Sequence, residues 1–446
     1  MTDEAALLAA IRDNPDEDTP RLAFADWLDE QGGEANAARA EYTRLEIARA
    51  RTEEETGVRP DDFRQAELWK KYSADWFPAF YGKKNLLRGT QTSVRLRRGF
   101  TYCFYSRSAG AFLARAERLL PLAPITDLIL SGISEDELST LERAVWATRL
   151  RYIQLAGYTT PVTRWVRLAD NPHLANLTEL VLCDGIIDAA AGARLAGVNP
   201  WPHLRRLAFS VTQFSDAGIA ALFGGSAFTG LEALDLSERG ENLTVAAVDA
   251  VAAAEPLAGL KALDIAYRPR PWLIAALAKA RFWPKLESLH AQRSGLGNAG
   301  IGDLVRVPPE ALRVLSLDDN GITAAGVREL ADSSVMATLE ELDLSGNPIG
   351  DAGVKALAES PHSARLRKLD LGLCKFGPDG AKALAESPHL ANLRDLRVGH
   401  CGIGVAGAKA LAASPYLGNL TKLWASGLTP AGKKHLKTRF GRVASL

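Results

Sequence analysis

From residue 125 onward the apolar residues fall into one recurring figure, L-x-x-L-x-L with conservative replacements. Its first position is taken by Ile125, Leu150, Leu177, Leu204, Leu231, Leu260, Leu286, Leu312, Leu339, Leu366, Leu393 and Leu420, at intervals of 25 to 29 residues. Twelve units at so steady a period are an internal repeat, each unit a supersecondary element stacked on copies of itself. In Leu339–Leu344, Leu alternates with Glu and Asp, the period-two pattern of a half-buried strand. A turn follows over Ser345–Ile349. Asp351–Leu357 then carries Val354 and Leu357 on one helical face, with Asp351 expected to cap that helix. Ser360-Pro361 ends it, since proline cannot extend the hydrogen-bond ladder. One strand and one helix per unit make an α/β chain.

The Ala-Gly-apolar run recurs at Ala217–Leu222, Ala299–Leu304 and Ala325–Leu330. These residues resemble the leucine-rich repeat family, in its longer ribonuclease-inhibitor-like class with a full helix per repeat, over about residues 125–440. The resemblance implies a solenoid shaped as a horseshoe, with a parallel β-sheet on the concave face and helices on the convex face. No single repeat can bury its leucines alone, so each depends on its neighbours. The segment Ala431–Arg439, with Lys433, Lys434, Lys437 and Arg439 beside Leu436, suits a C-terminal capping helix.

Residues 1–85 lack the repeat. Thr2 is expected to cap a helix over Asp3–Arg12, and Thr19-Pro20 to open a second that stops at Gly32-Gly33. Helices over Ala35–Arg51 and Asp62–Tyr81 follow, then two strands within 92–105 turning at Arg98-Gly99, then a helix over Ala111–Leu120. Pro20–Glu30 and Ala40–Glu46, with Arg97–Phe100 and Ala111–Arg115, resemble a short repeat-companion domain of planctomycete-type bacteria. That resemblance covers about residues 1–55 and 95–130 and implies an architecture, a small mainly helical domain in front of repeats, without chemistry. The expected division is 1–90 for this domain, 91–124 for a strand-helix junction, 125–428 for about twelve repeats and 429–446 for the capping helix.

Composition adds constraints. The chain has 446 residues, 47% hydrophobic and 24% charged, the balance of a folded protein. Its 53 Lys+Arg equal its 53 Asp+Glu, which argues against a dedicated nucleic-acid binder. Neutrality is a sum of opposed segments: residues 1–60 hold 15 acids and 7 bases, residues 61–120 hold 5 acids and 12 bases. The second group includes Lys83, Lys84, Arg88, Arg95, Arg97 and Arg98, so an acidic helical domain is expected to lie against a basic junction, with a phosphate-bearing partner at 83–98 as the alternative. Four scattered cysteines, an acidic start and no long apolar run point to a reduced, cytoplasmic chain away from membranes, expected as a monomer.

Candidate chemistry is sparse. Gly295–Gly300 spells G-x-G-x-x-G, yet Gly300 is the repeat's own glycine, matching Gly218, Gly326 and Gly353. His173, His362 and His389 share one repeat position, and Cys374 and Cys401 stand where Asn320 and Asn347 stand, so repeat geometry explains them. Asp26 with Asp29 and Glu30 reads as a solvated helix face rather than an acid pair. No catalytic residue, metal site or cofactor is expected, and the chain is read as no enzyme. The outward lane of the strands is more telling: Asp235, Asp264, His290, Ser316, Asp343, Asp370, Arg397 and Trp424, flanked by Glu341 and Asp318. We read Asp235, Asp264, His290, Asp318, Glu341, Asp343, Asp370, Arg397 and Trp424 as the partner-binding set of a protein-protein recognition or scaffold protein, the partner carrying a basic segment. The alternative is a regulator of a partner enzyme, inhibitor or GTPase-activating-like, by analogy of fold.

Overall fold

The computed structural model describes residues 3–56, 63–81, 92–120, 123–156, 162–197, 200–237, 244–267 and 270–445. It divides into two compact units, residues 1–185 with 200–204, and residues 186–199 with 205–446. The division falls inside the repeat array.

In the first unit, α1 (Asp3–Asp13), α2 (Thr19–Gln31), α3 (Glu34–Thr56) and α4 (Phe63–Trp76) form the helical region. Ile11, Phe24, Leu28 and Phe100 share one buried core, and the Phe24 and Phe100 rings meet edge-on at 5.7 Å. Phe100 belongs to the hairpin β1 (Thr92–Arg97) and β2 (Phe100–Ser106), which pair antiparallel and turn at Arg98-Gly99. Both turn residues have positive φ, 53° and 81°, which glycine accommodates at the second. The cap of α2 is Asp18, one residue before the expected Thr19, and its side chain makes no cap bond. Asp18 is used otherwise: it accepts from Arg51 at 2.8 Å and pairs with Arg98 at 3.1 Å. The expected helix over Ala111–Leu120 is two short pieces, Ala109–Leu113 and Ala116–Leu119. Thr2, Lys83, Lys84 and Arg88 lie outside the described residues.

The acidic and basic segments do meet. Arg97 and Arg98 pair with Glu54 at 3.1 and 2.7 Å, Arg64 with Glu41 at 2.8 Å and Lys71 with Glu34 at 2.8 Å. Arg44 bridges Asp26 and Asp29 at 2.6 and 2.8 Å, so those two acids are a charge-paired helix face. From β2 the sheet runs parallel through β3 (Asp127–Ser131), β4 (Tyr152–Ala156) and β5 (Glu179–Ile187).

The second unit repeats one theme. Its strands are β6 (Arg206–Phe214), β7 (Ala233–Asp235), β8 (Ala262–Asp264), β9 (Ser288–His290), β10 (Val314–Ser316), β11 (Glu341–Asp343), β12 (Lys368–Asp370), β13 (Asp395–Arg397), β14 (Lys422–Trp424) and β15 (Ala444–Ser445). All pair parallel, each with the next. The central leucine of every full strand, Leu234 through Leu423, is buried, as are the helix residues Val354 and Leu357 beneath them. The repeat glycine exists for close approach: a Cβ on Gly218 would lie 2.0 Å from the Ile187 carbonyl oxygen, and one on Gly353 2.8 Å from Ile349 Cβ.

Asp351 does not cap its own helix (Gly350–Glu359), which starts at Ile349 without a side-chain cap. Its carboxylate accepts from Gly377 N at 2.8 Å and Gly380 N at 2.7 Å, the start of the next repeat's helix. Asn298 does the same for Thr323 N at 3.0 Å. Asp216 accepts from Thr244 Oγ1 at 2.7 Å. A carboxylate or amide there satisfies amides that a helix start leaves open. The Ser-Pro stops link repeats as well: Ser360, Ser387 and Ser414 donate to Ala331, Ala358 and Ala385 carbonyls at 2.5–2.6 Å. The expected C-terminal helix spans Pro430–Phe440, capped by Thr429, and β15 pairs with β14 beyond it.

Candidate functional site

Register decides what the second unit presents. Strand pairing sets Asp235 opposite Asp264, Asp264 opposite His290, His290 opposite Ser316, Ser316 opposite Asp343, Asp343 opposite Asp370, Asp370 opposite Arg397 and Arg397 opposite Trp424. The outward lane read from the repeat is therefore one continuous row, strands about 4.8 Å apart.

Each aspartate of this row also has a local task. Asp235 Oδ1 accepts from Ser237 N at 2.8 Å, Asp264 Oδ1 from Ala266 N at 3.3 Å, Asp343 Oδ1 from Ser345 N at 2.9 Å and Asp370 Oδ1 from Gly372 N at 2.9 Å. An aspartate bonding the backbone two residues on closes the turn that follows the strand. One oxygen of each carboxylate is thus held. At Asp370 the other lies 3.5 Å from Arg397, and among the described residues Asp343 has no cation within ion-pair distance.

The flanking positions behave differently. Glu341, Lys368, Asp395 and Lys422 pair across neighbouring strands with alternating sign, and Lys368 reaches Glu341 at 2.9 Å. Glu341 is thereby neutralised within the protein. Arg397 is clamped by Asp395 at 3.2 Å and Asp370, with its guanidinium 5.8 Å from the Trp424 ring centre. Trp424 remains 52% exposed at the end of the row. Asp318 sits beyond the strand, half-buried beside the turn, its main-chain oxygen accepting from Arg293 N at 2.9 Å. His290 shares a hydrogen bond with Ser288 Oγ at 3.0 Å, and burial holds its pKa below the usual imidazole value. Seven of the nine expected residues thus lie in one row, with Glu341 beside it and Asp318 at its edge.

Burial also works on the acids. It lifts Asp264 to about 7, aided by Asp235, and Asp318 to about 6, aided by Asp343. Asp370 is raised by burial as well, partly offset by the Gly372 amide. A carboxyl whose folded pKa exceeds its unfolded value makes the folded state bind the extra proton. Its contribution to stability therefore falls as pH rises from about 4 to about 7. Asp264→Asn keeps the Oδ1 acceptor and removes the charge. We expect it to match the wild type at pH 3, below the unfolded carboxyl pKa, and to exceed it by about 1–2 kcal/mol at pH 8, after discounting for partial exposure. Urea unfolding at both pH values checks this; an offset equal at the two would exclude the effect.

A family model of the Leucine Rich repeat matches residues 311–331, 335–358, 362–385 and 389–412. The crystal structure of the Rad7 and Elc1 complex in yeast contains a chain that overlays at TM-score 0.53, 20% identical, over 73% of this chain and 84% of that one. The fold is a leucine-rich repeat solenoid. An internalin from Listeria monocytogenes overlays at TM-score 0.41 with 17% identity, covering 76% and 89% of the two chains. A Leptospira interrogans LRR protein overlays at 0.35 with 18% identity, covering 74% and 92%. No curated protein matches the sequence.

The solenoid's own architecture accounts for the residues that mimic chemistry. Cys374 and Cys401 donate to the Leu344 and Leu371 carbonyls at 3.1 and 2.9 Å, and burial pushes their thiols up to about 12 and about 11. They are not thiolate nucleophiles near neutral pH. His173 and His362 follow Asn171 and Ser360, whose side chains accept from the histidines' amides at 2.9 and 3.2 Å. Among the described residues no group of three or more His, Cys, Asp or Glu is placed to hold a metal ion, and no helix is long and apolar enough to cross a membrane.

A second group of polar and charged side chains on the strands lies outside the expected set. In the first unit Asp127, Tyr152 and Glu179 lie side by side on β3, β4 and β5, and line a cavity of about 500 Å³ with Arg95, Arg97 and Arg151. Burial lifts Asp127 to about 6. The lane that Glu341 occupies, followed back toward the N-terminus, would have found them.

Proposed function

We propose that the protein is a non-enzymatic recognition or scaffold protein that binds a protein partner across the strand face of its repeat array, the partner carrying a basic segment. The row from Asp235 to Trp424 carries this reading. Its acids lie on one line at strand spacing, and Asp343 has no cation across the strand. The line ends in an exposed tryptophan stacked on an arginine, the residue types that dominate interface energetics. A basic segment laid across the row would relieve the repulsion between Asp343 and Asp370 and between Asp235 and Asp264. The similarity to a chain of the Rad7 and Elc1 complex supports, by analogy of fold, an array of this kind working within a protein complex.

The ribonuclease-inhibitor-like class belongs to the same reading, supported by the full helix in repeats such as Gly350–Glu359. So does a companion role for residues 1–90, supported by the core that their helices build together with Phe100 of the hairpin.

The test is affinity capture followed by mass spectrometry, comparing wild type with the double variant D343N/D370N. Asparagine preserves each turn-closing acceptor, so the change isolates charge. We expect the captured basic partner to be depleted about tenfold or more, with a larger loss at low salt. Equal recovery from wild type and variant would remove the acidic row as the site.

A further inference from the structure

Immediately before each strand of the second unit runs another row, joined by backbone hydrogen bonds from repeat to repeat. Arg313, Glu340, Arg367, Arg394 and Thr421 are consecutive members, each amide donating to the previous residue's carbonyl at 2.7–2.8 Å. Signs alternate along it from Lys261 through Glu287, Arg313 and Glu340 to Arg367. Glu340 serves two arginines, Arg313 at 3.0 Å and Arg367 at 3.6 Å. The alternation then fails. Arg394 follows Arg367 where an acid is due, and Arg365 sits two residues before Arg367 in the same repeat.

These side chains surround a cavity of about 610 Å³ lined by Glu340, Ala364, Arg365, Arg367, Asn392, Arg394, Asn419 and Thr421. Its neutral polar groups are engaged with the backbone. Asn392 and Asn419 donate to the Ala364 and Ala391 carbonyls at 2.8 and 2.9 Å, and Thr421 Oγ1 donates to the Arg394 carbonyl at 3.1 Å. Among the described residues Arg365 and Arg394 have no carboxylate partner, and both are exposed. Three arginines therefore line the cavity with one carboxylate, which is already shared with Arg313.

We propose that this cavity binds the phosphoryl group of a phosphomonoester. Three arginines against one acid leave an excess of two positive charges, which matches the −1.5 to −2 of such a group near pH 7. Guanidinium forks suit tetrahedral oxyanions through paired N–H donors. No aromatic ring lines the cavity, so a nucleobase has nothing to stack on, and the phosphoryl group is what the site recognises.

The experiment titrates the full chain with inorganic phosphate by calorimetry, with chloride as the ionic-strength control. Parallel titrations use a phosphoserine peptide and its unphosphorylated twin. Phosphate binding that chloride does not displace is expected, weakened about tenfold or more in R365Q/R394Q. E340Q should bind several times tighter, because Arg367 is released from its acid; a variant that merely damaged the fold would not gain affinity. The phosphoserine peptide binding more tightly than inorganic phosphate assigns the group to a protein-borne phosphate, and equal binding assigns it to a small phosphorylated molecule. No saturable heat with phosphate, or unchanged affinity in both variants, overturns the proposal.

Discussion

Leu342→Asp should unfold a block of repeats while leaving the rest of the chain folded. Leu342 is 1% exposed and pairs with Leu315 and Leu369 in the adjoining strands. The substitution forfeits about 1.5–3 kcal/mol of apolar burial. It also places a carboxyl among leucines with no partner, which costs several kcal/mol more even if the group protonates. Together these exceed about 5 kcal/mol, comparable with the whole stability of an ordinary domain. In a linear array that loss is not spread evenly. Each repeat touches only its neighbours, so the strands and helices around β11 are released first. Hydrogen exchange should show lost protection from β10 through β12, while α1 to α3 keep theirs, and thermal melting should gain an early transition. Asp343→Asn, one residue along, serves as the control, because alternation turns position 343 outward and should leave the melt nearly unchanged. A Leu342→Asp curve superposable on the wild type would sink the claim.

How much of this was legible beforehand follows from the range of each interaction. Inward leucines and the outward row were readable because a strand's period is two and the repeat holds its phase, so Asp343 and Asp370 could be placed opposite each other by counting. The turn closure by Asp343 was also local, a bond from residue i to i+2, and a reader of Asp-Leu-Ser345 could have anticipated it. What stayed hidden depends on contacts between repeats. Asp351 looks like the cap of the helix it begins, yet its carboxylate serves amides 26 and 29 residues later. Helix-capping patterns describe one chain segment, whereas here the neighbouring helix start lies closer in space than the residue's own. Asp18 was missed for a related reason, since its ion pairs come from α3 and from the β1–β2 turn. Arg365 and Arg394 were visible as residues, but their significance depends on which neighbours Glu340 already serves.

Asn347→Ala should cost about 3–5 kcal/mol, large for a substitution that removes no apolar surface. Asn347 is completely buried, and its side chain works in both directions. Its Oδ1 accepts from Asn320 N at 3.0 Å and Ile322 N at 2.9 Å, and its Nδ2 donates to the Leu317 and Leu344 carbonyls at 2.9 Å each. Alanine strands two amides and the Leu317 carbonyl away from water, each worth about 1–3 kcal/mol when left unmade, while the Leu344 carbonyl keeps its bonds from Asn347 N and Cys374 Sγ. The next repeats carry Cys374 and Cys401 at this position, which suggests cysteine as a mild replacement. The geometry argues otherwise. A thiol can replace the donor, as Cys374 does toward Leu344 at 3.1 Å, but it is a weak acceptor. Before Cys374 the amides are satisfied within their own turn, Asn347 N on Leu344 O at 3.3 Å and Ile349 N on Asn347 O at 2.8 Å. The turn at 320–322 lacks that internal closure and relies on Asn347. Denaturant unfolding should therefore rank wild type above Asn347→Cys and Asn347→Cys above Asn347→Ala, with Cys374→Ala the least costly change. If Asn347→Cys proved as stable as the wild type, the acceptor role of this side chain would be refuted, and its conformation alone would explain the position.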